Sequence, residues 1–172
     1  AEIIRGANKW SNNVMTRLLF YSIGSSQFKP PITREHARAV IDEFLVSRQI
    51  DTSGMFVENG SGLSRVARIS AQQLSDLLHS AFASPLMPEF ISSLSLIGLD
   101  GTTRKRFLNK PEQGRMHLKT GRLNNVVAIA GYVDASSGDR YSVVMLINEP
   151  GIHQKGGSAM QNKLLDWVHD EL

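Results

Sequence analysis

Lys119-Thr120-Gly121 sets an ammonium, a hydroxyl and a glycine just ahead of the apolar stretch "VVAIAGYV". Such a cation could be placed to hold an anionic or polar group, and a glycine in a strand lets a second backbone approach closely. Near the other end of the chain, Ser11-Asn12-Asn13 supplies a hydroxyl and two carboxamides. Taken singly, both triplets have plain structural explanations. Serine and asparagine are favoured helix N-caps, and a lysine at a strand end discourages edge pairing.

Other chemistries fit the chain less well. His36, His79, His117, His153 and His169 are far apart, and none belongs to an H-E-x-x-H or similar pair, so no metal centre or other cofactor is expected. Gly114 to Thr120 reads G-x-x-x-x-K-T, but the second glycine of a phosphate-cradling loop is replaced by Leu118. There is no cysteine, which excludes disulfides and thiol chemistry. The 172 residues suffice for one domain with a substantial core, and 41% apolar and 20% charged residues are ordinary for a globular protein. The net charge of +3 is scattered, and Arg104, Lys105, Arg106 and Lys110 lie beside no aromatic ladder, so nucleic acid is not an expected partner. No apolar run reaches the roughly 18 residues of a membrane span. "AEIIRGANKW" lacks the pattern of a signal peptide, leaving a cytoplasmic protein or one whose leader is not in this chain.

The elements that must position these triplets follow from periodicity. Val14, Met15, Leu18 and Leu19 have helical spacing after Ser11 to Asn13 and stop at Gly24. Ala37, Val40, Ile41, Phe44 and Leu45 form a second stripe after Thr33, and the Ser70/Gln73 capping box opens a third helix with Leu74, Leu77, Leu78, Ala81 and Phe82 on one face. "EFISSLSLIG" is ambiguous and "LDGTTRKRF" reads as a polar loop. "RMHLKTG", "VVAIAGYV" and "RYSVVMLIN" predict three strands of an antiparallel meander, with Lys119 at the head of the first. Met160, Leu164, Leu165 and Val168 predict a closing helix on the sheet, and the fold class is α+β.

Serine penicillin-recognising enzymes combine S-x-x-K, S-x-N and K-T-G, the last on a sheet strand. This chain has the last two in that order. The blocks "NKWSNN", "VENGSGLSR", "GLDGT" and "HLKTGRLNNVVAIAGYV" together resemble the low-molecular-mass penicillin-binding proteins of the D-alanyl-D-alanine carboxypeptidase and endopeptidase type, the peptidase S13 family, over nearly the whole chain. The resemblance implies an antiparallel sheet flanked by helices, of the serine β-lactamase and penicillin-binding transpeptidase type. It also implies that residues 1–172 are the C-terminal part of a catalytic domain whose S-x-x-K and inserted domains lie upstream. Ser26-Gln27-Phe28-Lys29 matches S-x-x-K, but it follows the S-x-N and runs into Pro30-Pro31, where the helix needed to bring lysine one turn from serine is implausible.

Carried over residue by residue, the resemblance makes Ser11 a proton relay toward the leaving nitrogen and Asn13 a holder of the substrate amide and the missing lysine, with Asn12 turned away. Lys119 places positive charge near a terminal carboxylate and near Ser11. Thr120 offers a hydroxyl, Gly121 lets the substrate approach, and Arg122 contributes a backbone N–H to an oxyanion hole. Arg122 stands where relatives often carry serine or threonine, and Asn59 where they often carry aspartate. The implied partners are peptidoglycan stem peptides and β-lactams, in the periplasm or another extracytoplasmic space. Self-association would cover any apolar face left by the upstream part. The other reading is a non-catalytic module that binds cell-wall peptide or a partner on the same fold.

Overall fold

The computed structural model describes all residues from Ala1 to Leu172. Six α-helices, α1 (Glu2–Trp10), α2 (Asn13–Ser25), α3 (Arg34–Ser47), α4 (Ala71–Phe82), α5 (Met87–Ser93) and α6 (Gly157–Glu171), accompany four strands, β1 (Ser95–Leu96), β2 (Met116–Leu123), β3 (Val126–Asp134) and β4 (Arg140–Asn148). The chain divides into two compact units, one formed by Ala1–Ser11 with Ala81–Leu172 and the other by Asn12–Ser80.

In the first unit the strands lie in the order β1-β2-β3-β4, all antiparallel. Met116 and Leu118 of β2, two residues apart, share the face that packs with Ile129 and Val133 of β3 and Leu165 and Val168 of α6. His117, Lys119 and Gly121 therefore project from the opposite face. The far end of α6 is tied to the β3–β4 turn, where Ser136 N–H donates to the His169 carbonyl at 2.7 Å and the His169 ring Nδ1 meets the Asp134 carbonyl at 2.6 Å.

The second unit is built on α2 against α3. Gly24 makes their close approach feasible, because a Cβ there would stand 2.8 Å from Ile32 Cγ2 and 3.0 Å from the Ala37 nitrogen. Thr33 and His36 close a reciprocal cap at the start of α3, and Ser70 with Gln73 does the same for α4. Gln73 Nε2 also donates to the carbonyls of Asp51 and Ser53, so the cap pins the preceding loop.

Two expectations need correction. The helix expected after Ser11 to Asn13 does begin at Asn13, capped by Asn12 accepting from the N–H groups of Val14 and Met15, but residues 2–10 are helical too, so Ser11 ends α1. The N-terminal stretch hid this helix because Ala7 is its one buried residue, which leaves no apolar stripe to read. Lys119 also lies in the middle of the second strand rather than at the head of the first. The two-residue β1 within "SLSLIG" is too short for alternation to register.

The tightest point of the sheet is Gly131, opposite Leu118, where a Cβ would stand 2.0 Å from the His117 carbonyl oxygen at a φ of 152°. That neighbour is backbone and cannot swing aside. Gly131→Ala is expected to lower unfolding free energy by about 1–3 kcal/mol, measured by denaturant unfolding; an unchanged midpoint would contradict the observed strand spacing.

Candidate active site

The site starts from the way α1 ends. Ser11 takes left-handed angles, φ 51° and ψ 47°, a conformation that costs a non-glycine residue about 1–3 kcal/mol. Its N–H still reaches back to the Asn8 carbonyl, and its half-buried side chain leaves the helix axis. Lys119 comes from β2, opposite Ala130 on β3, and Gly121 lies opposite Ala128. The small side chains beside it leave room along the strand.

Lys119 Nζ donates to Ser11 Oγ at 2.5 Å and to the Thr120 carbonyl at 2.6 Å. An ammonium has three protons and no lone pair, so one donor remains for an incoming acceptor. Because Ser11 Oγ accepts from the ammonium, its own proton is free to be given elsewhere. Burial pushes the Lys119 ammonium below the ordinary lysine pKa.

The edge of β2 supplies a second set of groups. The Ile97 N–H donates to the Met116 carbonyl at 3.0 Å, so Met116, Leu118, Thr120 and Arg122 direct their backbone groups toward the β1 side. β1 pairs only with His117 and Leu118. Beyond that point Thr120 and Arg122 face an open edge, where the Thr120 carbonyl is taken by Lys119 and the Arg122 N–H has no strand partner. The Gly121 backbone and the Arg122 side chain are exposed. Asn13 is the first residue of α2 and belongs to the second unit, apart from the unit that holds the other five.

The groups that support Ser11 and Lys119 from behind had no role in the sequence reading, although Lys9, Asp100 and Thr102 fall in the blocks "NKWSNN" and "GLDGT". Lys9, in the last turn of α1, pairs with Asp100 Oδ2, whose other oxygen accepts the Leu96 N–H at 2.8 Å. Ser95, fully buried, donates to the Lys9 carbonyl and accepts from the Thr102 N–H. Gly101 has φ 57° and lies so close that a Cβ would stand 2.2 Å from Ser95 Oγ. The polar run "LDGTTRKRF" is thus a tight junction between α1 and β2. Aspartate, glycine and threonine in succession were its only signal.

The remaining candidates are occupied locally. Ser26 follows the C-terminal end of α2 and donates its hydroxyl to the Ile23 carbonyl at 2.6 Å. Asn59 accepts from the N–H and hydroxyl of Ser61 and donates to the Leu63 carbonyl, closing the Gly60–Gly62 turn on itself.

The family model described as D-Ala-D-Ala carboxypeptidase 3 (S13) matches residues 1–170. The chain belongs to this family. Among curated S13-type relatives, the D-alanyl-D-alanine carboxypeptidase of an Actinomadura species is 31% identical over 150 residues, covering 84% of this chain and 28% of that protein. Carboxypeptidase DacB of Mycolicibacterium smegmatis is 28% identical over 156 residues, covering 87% of this chain and 34% of that protein. The S13 chain therefore spans about a third or less of these relatives. Penicillin binding protein 4 of Haemophilus influenzae, solved with a β-lactam, superposes with a TM-score of 0.81 at 21% identity, over 95% of this chain and 41% of that one. The expected fold, helices flanking an antiparallel sheet of the penicillin-binding type, is the observed one, and no helix is long and apolar enough to cross a membrane.

The depressed Lys119 pKa has a signed consequence. The unfolded chain binds this proton more tightly than the folded one, so stability rises as pH climbs through the depressed value toward the ordinary 10.5 and is flat above it. Comparing denaturant unfolding of the wild type with Lys119→Met from pH 7 to 10.5 should show the wild type gaining relative stability in that window; a pH-independent difference would contradict it.

Proposed function

We propose that this chain is the C-terminal part of the catalytic domain of a serine-type D-Ala-D-Ala carboxypeptidase or endopeptidase acting on peptidoglycan stem peptides, and that it contributes the proton relay and carboxylate-holding half of the site. The observation that carries this is the Lys119–Ser11 contact, formed by K-T-G and S-x-N across 108 residues of sequence. In this reading the nucleophilic serine lies outside these 172 residues. Its oxygen bonds to the D-Ala-D-Ala carbonyl carbon, and its proton passes to its own S-x-x-K lysine. Ser11 gives its proton to the leaving nitrogen as the C–N bond breaks and takes up the one held by that lysine, and water then hydrolyses the acyl-enzyme.

The same geometry supports the holding roles. The free donor of Lys119 meets the terminal carboxylate of the substrate, and the positive charge strengthens as a donor where water is shielded. An extended peptide laid along the open edge of β2 would find the Arg122 N–H where an oxyanion forms, with Gly121 permitting close approach. The exposed Arg122 guanidinium is suited to a second carboxylate contact. The family resemblance alone gives Asn13 the substrate amide. β-Lactams would acylate the same serine, and peptidoglycan places the protein in the periplasm or another extracytoplasmic space.

Two measurements with a fluorescent penicillin test this. The isolated chain should take no covalent label, since Ser26 has its hydroxyl committed and no lysine beside it at a helix start; label mapped to Ser26 would overturn the reading. In the complete protein, Lys119→Ala should slow acylation by about 10²–10³-fold, the usual cost of one preorganised donor, and wild-type rates would remove Lys119 from the site.

A further inference from the structure

Thr102 stands on the loop behind β2, and Thr120 Oγ1 lies 2.9 Å from Thr102 Oγ1. Counting protons along this contact gives it a direction. Ser95 Oγ has one proton, which goes to the Lys9 carbonyl at 3.3 Å, while the same oxygen accepts the Thr102 N–H at 3.2 Å. Toward Thr102 Oγ1, 3.4 Å away, Ser95 can then only accept. Thr102 therefore gives its proton to Ser95 and accepts from Thr120. At rest the Thr120 hydroxyl has its proton turned inward and its lone pairs outward.

We infer that Thr102 is a positioning residue for Thr120, one that holds the Thr120 hydroxyl at the open edge of β2 and lets it change from acceptor to donor when a substrate carboxylate arrives. This rests on the proposal that the K-T-G strand holds a carboxylate-bearing substrate. When the anion meets Thr120, the Thr120 proton turns outward to it, and the Thr102 proton turns from Ser95 to the vacated lone pair on Thr120. Both hydroxyls stay bonded throughout, and the exchange gives up only the longest contact of the chain, Thr102 to Ser95. The junction that seats Thr102 is rigid. Ser95 is fully buried, Gly101 leaves no room for a Cβ beside it, and Asp100 is held by both Lys9 and the Leu96 N–H.

An apolar side chain at residue 102 would leave Thr120 free to rotate and without an inward partner. That penalises ground-state capture of the anion, not the proton transfer at Ser11. The test is steady-state hydrolysis of an N-acylated D-Ala-D-Ala peptide by the complete protein. Thr102→Val should raise KM about tenfold, as expected for one hydrogen bond to a charged group, with kcat within about twofold, and Thr102→Ser should restore KM. Wild-type KM in Thr102→Val, equal losses in the valine and serine variants, or a loss confined to kcat would each overturn the inference. Lys119→Ala run alongside separates the two readings. If it behaves as wild type, the carboxylate-holding proposal falls; if it is impaired while Thr102→Val is normal, only the role of Thr102 falls.

Discussion

A half-buried ammonium has to be satisfied by acceptors, and that constraint on Lys119 organises the unit around it. Its two acceptors come from places 108 residues apart and one residue apart in sequence, Ser11 Oγ and the Thr120 carbonyl. For both distances to hold, the end of α1 must be seated against the sheet and β2 must keep its register with β3. Burial makes the ammonium an unfavourable resident, as its lowered pKa records. Stability alone would be as well served by an apolar side chain.

The surrounding structure supplies rigidity from the core side and room from the site side. Met116 and Leu118 anchor β2 to β3 and α6, which leaves the adjacent Lys119 no freedom to exchange faces, since a one-residue slip would bury it in the core. Ala128 and Ala130 on β3 flank the site face with small side chains. The Asp100-Gly101-Thr102 turn closes the arrangement from behind, tying Lys9 next to the α1 terminus and Thr120 on β2 into one set of hydrogen bonds through Ser95.

Much of this frame was legible from local chemistry. The Ser70 and Gln73 cap, the two hairpins and the α6 stripe are short-range signals, and each formed where its residues predict. The elements that escaped are those whose burial comes from partners distant in sequence. α1 buries only Ala7, and β1 has two residues. The same holds within the site. Lys119 and Thr120 declared themselves through a tripeptide, whereas Lys9, Ser95 and Thr102 act through contacts of 7 to 91 residues' separation, and the blocks that hold Lys9 and Thr102 gave neither of them a role.

By itself the sequence determined the α+β class, the meander and the family, because periodicity, capping residues and motif order are properties of residues near one another in the chain. Only the tertiary structure decided that Ser11 closes one helix instead of opening the next, that Lys119 sits mid-strand with its charge on Ser11, and that a polar loop is the junction behind both. Those outcomes depend on which donors and acceptors remain once the core is packed, and a hydroxyl's single proton can be assigned only when all its neighbours are in place.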